Sequence, residues 1–201
     1  MGRKLLVAST NKGKIAEVKD LMSDLKLEVV GLEEFPQASS HEVVEDGNTF
    51  QENALKKARV RARQTGLLTL ADDSGLVVDY LDGRPGIRSA RYAGEDADDR
   101  DNNRKLLREL EGVCFSHRDA HFECAAALVD PESGDEYIVK GSCSGYILEE
   151  PRGEYGFGYD PLFFVPSYGK TMAELSPAVK NSISHRAEAM EKMKKVIIDR
   201  I

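Results

Sequence analysis

Three groups of residues have the types and spacing for phosphate chemistry, and each also has a plainer reading. Ser9-Thr10-Asn11-Lys12-Gly13-Lys14 stands where an apolar run gives way to a helical pattern. There, hydroxyls and free backbone N–H groups can donate to phosphate oxygens, and Lys14 can add charge. The segment lacks the Gly-x-x-x-x-Gly-Lys-Ser/Thr spacing of a P-loop, and a helix cap with solvated lysines accounts for it as well. Ala71-Asp72-Asp73-Ser74-Gly75 sets adjacent carboxylates between the apolar runs around Leu70 and Leu76. As an acidic turn at a strand end it suits a hard cation such as Mg²⁺, which takes oxygen ligands and bridges them to phosphates. A hairpin turn held by Asx hydrogen bonds explains it equally. Asn53 and Lys57, one helical turn apart, face the same side. Lys57 then either reaches a cleft or joins Lys56, Arg59, Arg61 and Arg63 on a solvated face.

Two further segments can contact a nucleotide. Gly83 to Tyr92 carries Arg84, Arg88 and Arg91 on a turn-rich stretch, able to cover phosphates or to lie idle at the surface. Tyr155-Gly156-Phe157-Gly158-Tyr159-Asp160-Pro161 alternates glycine with aromatics. The rings can stack on a base while the glycines admit backbone amides, with core packing as the competing account. Pro161 restricts Asp160 to an extended conformation. Ser184-His185-Arg186 offers an imidazole and a guanidinium where a last helix should begin.

The elements that must position these groups follow from periodicity. Lys4 to Ala8 reads as a buried strand, and Ile15, Val18, Leu21, Met22 and Leu25 recur at helical spacing beyond it. Residues 27–32 suggest a second strand and 33–48 a polar surface loop. Thr49 with Glu52 forms a capping box for a helix from about 50 to Gly66, with Ala54, Ala58 and Ala62 as a packing stripe. Leu67–Ala71 and Leu76–Tyr80 read as short strands joined by the acidic turn. A helix is expected over Asp98–Glu111, then strands over Phe122–Val129 and Tyr137–Val139 around a Pro131–Asp135 turn, with Gly145–Leu148 extending the sheet. Pro161–Val165 is a last apolar run, and Ala187, Met190, Met193, Ile197 and Ile201 mark an amphipathic C-terminal helix. Helices and strands interleave before a strand-rich stretch, which favours an α/β domain with a mixed sheet.

Composition bounds the class. The 201 residues are 41% hydrophobic and 31% charged, as in a globular chain with a sizeable core, which excludes disorder. No apolar stretch nears the roughly 20 residues that span a bilayer, and the start resembles no cleaved signal, so no membrane partner and a cytoplasmic location are expected. The formal charge of −7 repels polyanions, so nucleic acid is not an expected partner, and a phosphate substrate must meet a local basic pocket or a metal. Cys114, Cys124 and Cys143 lack the close pairing of zinc or redox motifs and are expected to be buried, reduced thiols.

Taken together, Ser9 to Lys14, Thr49 to Ala54 with Lys57, Ala71 to Gly75, Pro85 to Arg91, Gly156 to Pro161 and Ser184-His185-Arg186 resemble the non-canonical purine nucleoside triphosphate pyrophosphatases, also called inosine or xanthosine triphosphate pyrophosphatases. The matches run along nearly the whole chain in the family's order. The resemblance implies an elongated, two-lobed single α/β domain over 1–201 with a central substrate cleft, a homodimer, Mg²⁺ as cofactor, and hydrolysis of ITP, dITP and XTP to monophosphate and pyrophosphate. By position, Ser9, Thr10, Asn11, Lys12, Gly13 and Lys14 would bind the triphosphate, and Ser74 would touch the substrate. Asp73 would be proton acceptor and metal ligand, assisted by Lys14 and Lys57. Glu45 would be the second metal-binding carboxylate. Many relatives carry Glu-Glu-Thr-Gly where this chain has Val44-Glu45-Asp46-Gly47, so Asp46 or Glu42 stands as an alternative ligand. Phe157, Gly158, Tyr159, Asp160, Lys180, His185 and Arg186 would contact nucleoside and base, with Tyr155 reshaping the approach. A pyrophosphatase or phosphatase for other nucleotides is the rival enzyme. A non-catalytic nucleotide-binding module is the other rival, and the retained Asp73 argues against it.

Overall fold

The computed structural model describes residues 3–39 and 43–200. Its strands are β1 (Lys4–Val7), β2 (Glu28–Gly31), β3 (Leu68–Val78), β4 (Asp119–Val129), β5 (Glu136–Ile147), β6 (Phe163–Val165) and β7 (Lys170–Thr171). They form one sheet in the order β2-β1-β3-β4-β5-β6-β7. Its helices are α1 (Lys12–Leu21), α2 (Pro36–Ser39), α3 (Phe50–Thr65), α4 (Asp99–Glu109), α5 (Pro177–Ile183) and α6 (His185–Arg200). The sheet is mixed, as expected. β1 runs parallel to β2 and β3, because helical crossovers join them, while β6 is antiparallel to β5 and β7.

The chain divides into two compact units, Met1–Asp73 with Cys124–Gly141 and Arg186–Ile201, and Ser74–Glu123 with Ser142–His185. The first unit's core gathers Leu5 and Val7 from β1, Val18 from α1, Leu68 and Leu70 from β3, and Met190, Met193 and Ile197 from α6. The second unit's core gathers Leu76 and Val78, Leu106 from α4, Phe122, Ile147, Leu162 and Phe163. In α3 the stripe Ala54, Ala58 and Ala62 is buried as its spacing requires. Thr49 Oγ1 caps the helix by accepting the Glu52 N–H at 3.1 Å. Gly66 ends it in the left-handed region at φ 69°, its N–H on the Ala62 carbonyl. Among the described residues no helix is long and apolar enough to cross a membrane.

Four expectations need correction. The acidic turn does not exist: Leu68 to Val78 is one continuous strand of 11 residues, so Asp72 to Gly75 lie mid-strand. Two runs around two aspartates read as a hairpin only if the carboxylates must reach water. Here cations within the fold meet them instead, and the strand continues. The segment 33–48 is not wholly loop, since it holds a 3₁₀ turn at Leu32–Glu34 and the short α2. The C-terminal third holds a further helix: α5, capped by Ser176 with Pro177 at its start, precedes α6, which begins at His185 as expected. Cys124 is buried, but Cys114 is exposed; all three cysteines are free thiols.

Gly75 shows why the strand carries a glycine here. A Cβ at this position would meet Ser89 Oγ and lie 2.5 Å from the Gly86 carbonyl oxygen. That Ser89 hydroxyl accepts the Leu76 N–H at 2.9 Å and donates to the Gly86 carbonyl at 2.6 Å. Gly75→Ala is therefore expected to destabilise the protein by about 1–3 kcal/mol, a fall of roughly 2–12 °C in thermal midpoint for a chain of this size. An unchanged midpoint in a melting curve would show that the Ser89 turn yields freely.

Candidate active site

β1 leads directly into the Ser9 to Lys14 segment. Asn11 caps α1, its side-chain oxygen accepting the Lys14 N–H at 3.1 Å, and Ser9 Oγ accepts the Asn11 N–H at 3.2 Å. The first turn of α1 contains no acidic residue and carries Lys12 and Lys14. Cations at the positive end of a helix are unfavourable unless an anion joins them. Lys14 has one already, with Nζ 3.2 Å from Asp72 Oδ2. Thr10, Asn11 and Lys12 stay exposed.

Asp72 and Asp73 are neighbours on a strand, so their side chains leave opposite faces. Asp72 is buried. Its Oδ2 accepts Arg186 Nε at 3.2 Å and Arg186 Nη2 at 3.0 Å, while Arg186 Nη1 bonds Glu17 of α1. Burial alone would raise the Asp72 pKa, but the charges of Lys14, Arg186 and Lys57 outweigh it and hold the carboxyl far below the usual aspartate range. Two carboxylates, Asp72 and Glu17, thus balance two cations, Lys14 and Arg186. The buried Cys124 thiol lies 4.0 Å from Asp72 Oδ2. Burial, reinforced by Asp72, pushes it up to about 12, so it stays a protonated thiol.

Asp73 meets different partners. Its Oδ2 accepts Asn53 Nδ2 at 3.0 Å, and Lys57 Nζ lies 3.7 Å from its Oδ1 and 3.1 Å from Glu45 Oε2. Asn53 and Lys57 are the two α3 residues one turn apart, and α3 delivers both to the strand. The Asn53 side-chain oxygen Oδ1 accepts the Gly47 N–H at 2.8 Å. A Cβ on Gly47 would lie 2.7 Å from that oxygen, so only glycine lets the Glu45 segment come this close. Burial raises the Asp73 pKa, with the negative charge of Glu45 adding to it, and Lys57, Lys14 and the Asn53 bond only partly offset the rise. Burial would lower Lys57, but Asp73, Glu45 and Asp72 hold it above the ordinary lysine value, so it remains charged. Adjacent carboxyl groups with pKa values pushed apart are an acid–base arrangement.

The donor set suits a hard divalent cation. Asp73 and Glu45 bring two carboxylates together beside Lys57, with oxygen atoms of the kind such a cation takes. Among the described residues no group of three or more His, Cys, Asp or Glu could cage a metal. A cation held by one or two carboxylates and completed by water and phosphate needs no such cage. Asp46 turns elsewhere, onto Lys56 at 2.5 Å with its side chain 68% exposed, which favours Glu45 over Asp46. Glu42 lies outside the described residues.

In the second unit Asp160 Oδ2 accepts the Phe157 N–H at 3.0 Å and Lys180 Nζ at 2.6 Å, and both charged residues are buried. Lys180 Nζ also stands 4.5 Å above the Phe157 ring, a cation–π arrangement. Gly156, at φ 79°, has no room for a side chain because a Cβ would strike Asp160 Oδ2. Ser74 is half-buried on β3. His185 is buried and stacks on Phe122, with centroids 4.8 Å apart and planes 17° apart.

Two expected base contacts have other occupations. The Tyr159 ring is 4% exposed within the core, and its hydroxyl donates to the Ser89 carbonyl at 2.8 Å. The Arg186 side chain is 1% exposed and bound to Asp72 and Glu17. A guanidinium so enclosed positions other groups. Sequence reasoning missed Asn53 as the partner of Asp73, and the signal was its place on the Lys57 face of α3. It also missed Glu17 and the function of Asp72, for which no local signal existed.

A model of the Ham1 family matches residues 5–196. A dITP/XTP pyrophosphatase of Geobacter sulfurreducens is 54% identical over 191 residues, spanning 95% of this chain and 94% of that protein. One from Bacillus anthracis is 50% identical over 197 residues, covering 97% and 96%. The solved structure of a HAM1 protein from Coxiella burnetii superposes with a TM-score of 0.88 at 43% identity, covering 98% of this chain and 99% of that one.

The Asp72 cluster can be tested through stability. Asp72→Asn leaves Lys14 and Arg186 without their shared counter-ion and should cost about 3–5 kcal/mol. A carboxyl whose folded pKa is depressed stabilises above its unfolded pKa and loses that contribution as pH falls toward the folded value. The difference between wild type and variant should therefore hold from neutral pH down to about pH 4 and shrink only below it. Denaturant titrations at stepped pH read this directly, and a gap that closes near pH 6 would contradict the assignment.

Proposed function

This chain belongs to the Ham1 family, and from that premise we propose that it hydrolyses the non-canonical purine nucleotides ITP, dITP and XTP to the monophosphate and pyrophosphate, clearing them from the nucleotide pool. The observation that carries the reading is the pair Asp72 and Asp73. One carboxyl is bound between Lys14 and Arg186, and its neighbour, whose pKa burial raises, stands beside the Lys57 ammonium and the Glu45 carboxylate.

Cleavage at the α-phosphorus needs water aligned opposite the leaving pyrophosphate, so positioning and charge stabilisation dominate. Asp73, oriented by Asn53, holds that water through one oxygen and takes its proton. A raised pKa makes it a better acceptor than an ordinary aspartate. Lys57 offsets negative charge on the phosphates, and so does Lys14, whose place is kept by Asp72. Arg186 secures Asp72 in turn. The capped start of α1, with Ser9, Thr10, Asn11, Lys12 and Gly13, offers N–H groups and hydroxyls to phosphate oxygens. Ser74, the next residue along the strand, offers a hydroxyl to the substrate. Glu45 and Asp73 would hold Mg²⁺, which when bound supplies Lewis-acid stabilisation to the phosphates and acidifies water.

Hypoxanthine and xanthine present an oxo group and a protonated N1, whereas adenine presents an amino group and a bare N1. In the second unit Phe157 offers a face for a purine ring and Lys180 a donor for an oxo edge, with Asp160 holding both. Buried donors left unpaired by the wrong base can discriminate by roughly 10⁴. The enzyme is expected to work in the cytoplasm as a homodimer, its net charge of −7 keeping it from nucleic acid.

Asp73→Asn should lower kcat by roughly 10²–10⁴, the range of a general base, while ITP still binds by calorimetry. Retained turnover would remove Asp73 from that role. A panel of nucleoside triphosphates with Mg²⁺, scored for pyrophosphate and monophosphate, tests the reaction itself, and orthophosphate release would point to a phosphatase. His185→Ala should narrow the ratio of kcat/KM for ITP over ATP; an unchanged ratio would show that the imidazole serves packing on Phe122 alone.

A further inference from the structure

α4 turns polar side chains onto two segments of the second unit. Asn102, buried, accepts the Ala93 N–H at 2.8 Å and donates to the Ala90 carbonyl at 3.1 Å, which fixes the end of the arginine-bearing segment. Asp99 and Asn103, one helical turn apart, converge on a single residue. Asp99 Oδ2 accepts the Gly158 N–H at 2.7 Å, and Asn103 Nδ2 donates to the Gly158 carbonyl at 2.9 Å. Gly158 is left-handed, at φ 62°, between Phe157 and the Tyr159–Asp160 pair.

Those two bonds fix both peptide planes that flank the glycine. The N–H belongs to the peptide that follows Phe157, and the carbonyl to the peptide that precedes Tyr159. Glycine has the widest backbone freedom of any residue, so a clamp on both sides has most to restrain here. The amide of Asn103 has one sensible orientation, because reversing it would set its oxygen against the Gly158 carbonyl. Its Oδ1 is shut away from water and has no hydrogen-bond partner among the described residues. For a residue present only to pack, that is a poor arrangement, since a buried acceptor left unpaired is destabilising. The Gly158 carbonyl supplies the reason for an amide at this position.

We propose that Asp99 and Asn103 are positioning residues that lock Gly158 and thereby set how Phe157 and Asp160 are presented to the purine base. This rests on the reading of residues 157–160 as the base-recognition segment. The neighbouring anchors do not involve the clamp, since the Phe157 N–H is on Asp160 and the Tyr159 hydroxyl on the Ser89 carbonyl. Loosening should therefore weaken binding of the base and leave chemistry at the phosphorus alone.

The test uses the full chain with Mg²⁺ and ITP, in wild type, Asp99→Ala, Asn103→Ala and Asp99→Asn. Steady-state kinetics are measured with thermal midpoints and amide hydrogen exchange across 156–160. Each alanine variant should raise KM about three- to tenfold, the fold-change for one net hydrogen bond. kcat should stay within about twofold, the midpoint should hold near that of wild type, and exchange at Gly158 should quicken. Asp99→Asn keeps an acceptor and should restore KM. Faster exchange with unchanged KM would overturn the positioning role while leaving base recognition intact. A fall in midpoint with kcat and KM moving together, and no rescue by asparagine, would make the contacts merely structural and overturn it too. Wild type that fails to split ITP would sink the functional reading beneath the proposal, a result separable from an active wild type with KM unmoved.

Discussion

The buried carboxylate of Asp72 is the contact on which the rest of the first unit depends. Left alone, such a group would cost several kcal/mol in lost hydration. Lys14 and both Arg186 donors meet a single oxygen of it, and the cations hold it ionised far into the acid range. Through that one atom β3 is joined to the start of α1 and to the start of α6, and Arg186 returns to α1 by way of Glu17. Lys14 and Arg186 are matched there by Asp72 and Glu17, and the cluster places Lys14 where the α1 N-terminus is already electropositive.

One residue further along the strand the balance is different. Asp73 and Glu45 both meet Lys57, and burial raises the acid that Asn53 orients. Alternation along a strand is the simplest way to give adjacent carboxylates opposite surroundings. The first is held as a fixed charge, and in the proposed mechanism the second supplies the base. Separation of duties between two aspartates is thus a property of β-strand geometry combined with the cations that each face receives.

The second unit solves a related problem by restraining backbone. Gly156 and Gly158 are both left-handed, and the segment is held from several sides: Asp160 on the Phe157 amide, Tyr159 on Ser89, and α4 on Gly158. The aromatic side chains divide accordingly. Tyr159 faces inward and anchors the segment, while Phe157 remains half-buried with the Lys180 ammonium over its ring. Alternating glycine and aromatic residues therefore mark a scaffold and a contact surface in the same stretch, distinguishable only by which ring the core receives.

Much was legible in the residues alone, for reasons of local chemistry. The helical period of α1, α3 and α6, the Thr49 and Gly66 ends of α3, the mixed α/β character and the shared face of Asn53 and Lys57 all follow from spacing and capping. The family pattern marked Lys14, Lys57, Asp73 and Glu45, which the fold brings into one charged group. What spacing could not reveal was that the two aspartates lie inside a strand, because turn chemistry and a compensated buried charge look alike until the cations are located. The partners of Asp72 come from positions 14 and 186, and those of Gly158 from 99 and 103, separations that no local pattern encodes. Sequence alone determined which residues could do chemistry; tertiary structure decided which were bound to one another, since a buried charge takes its character from neighbours that only folding supplies.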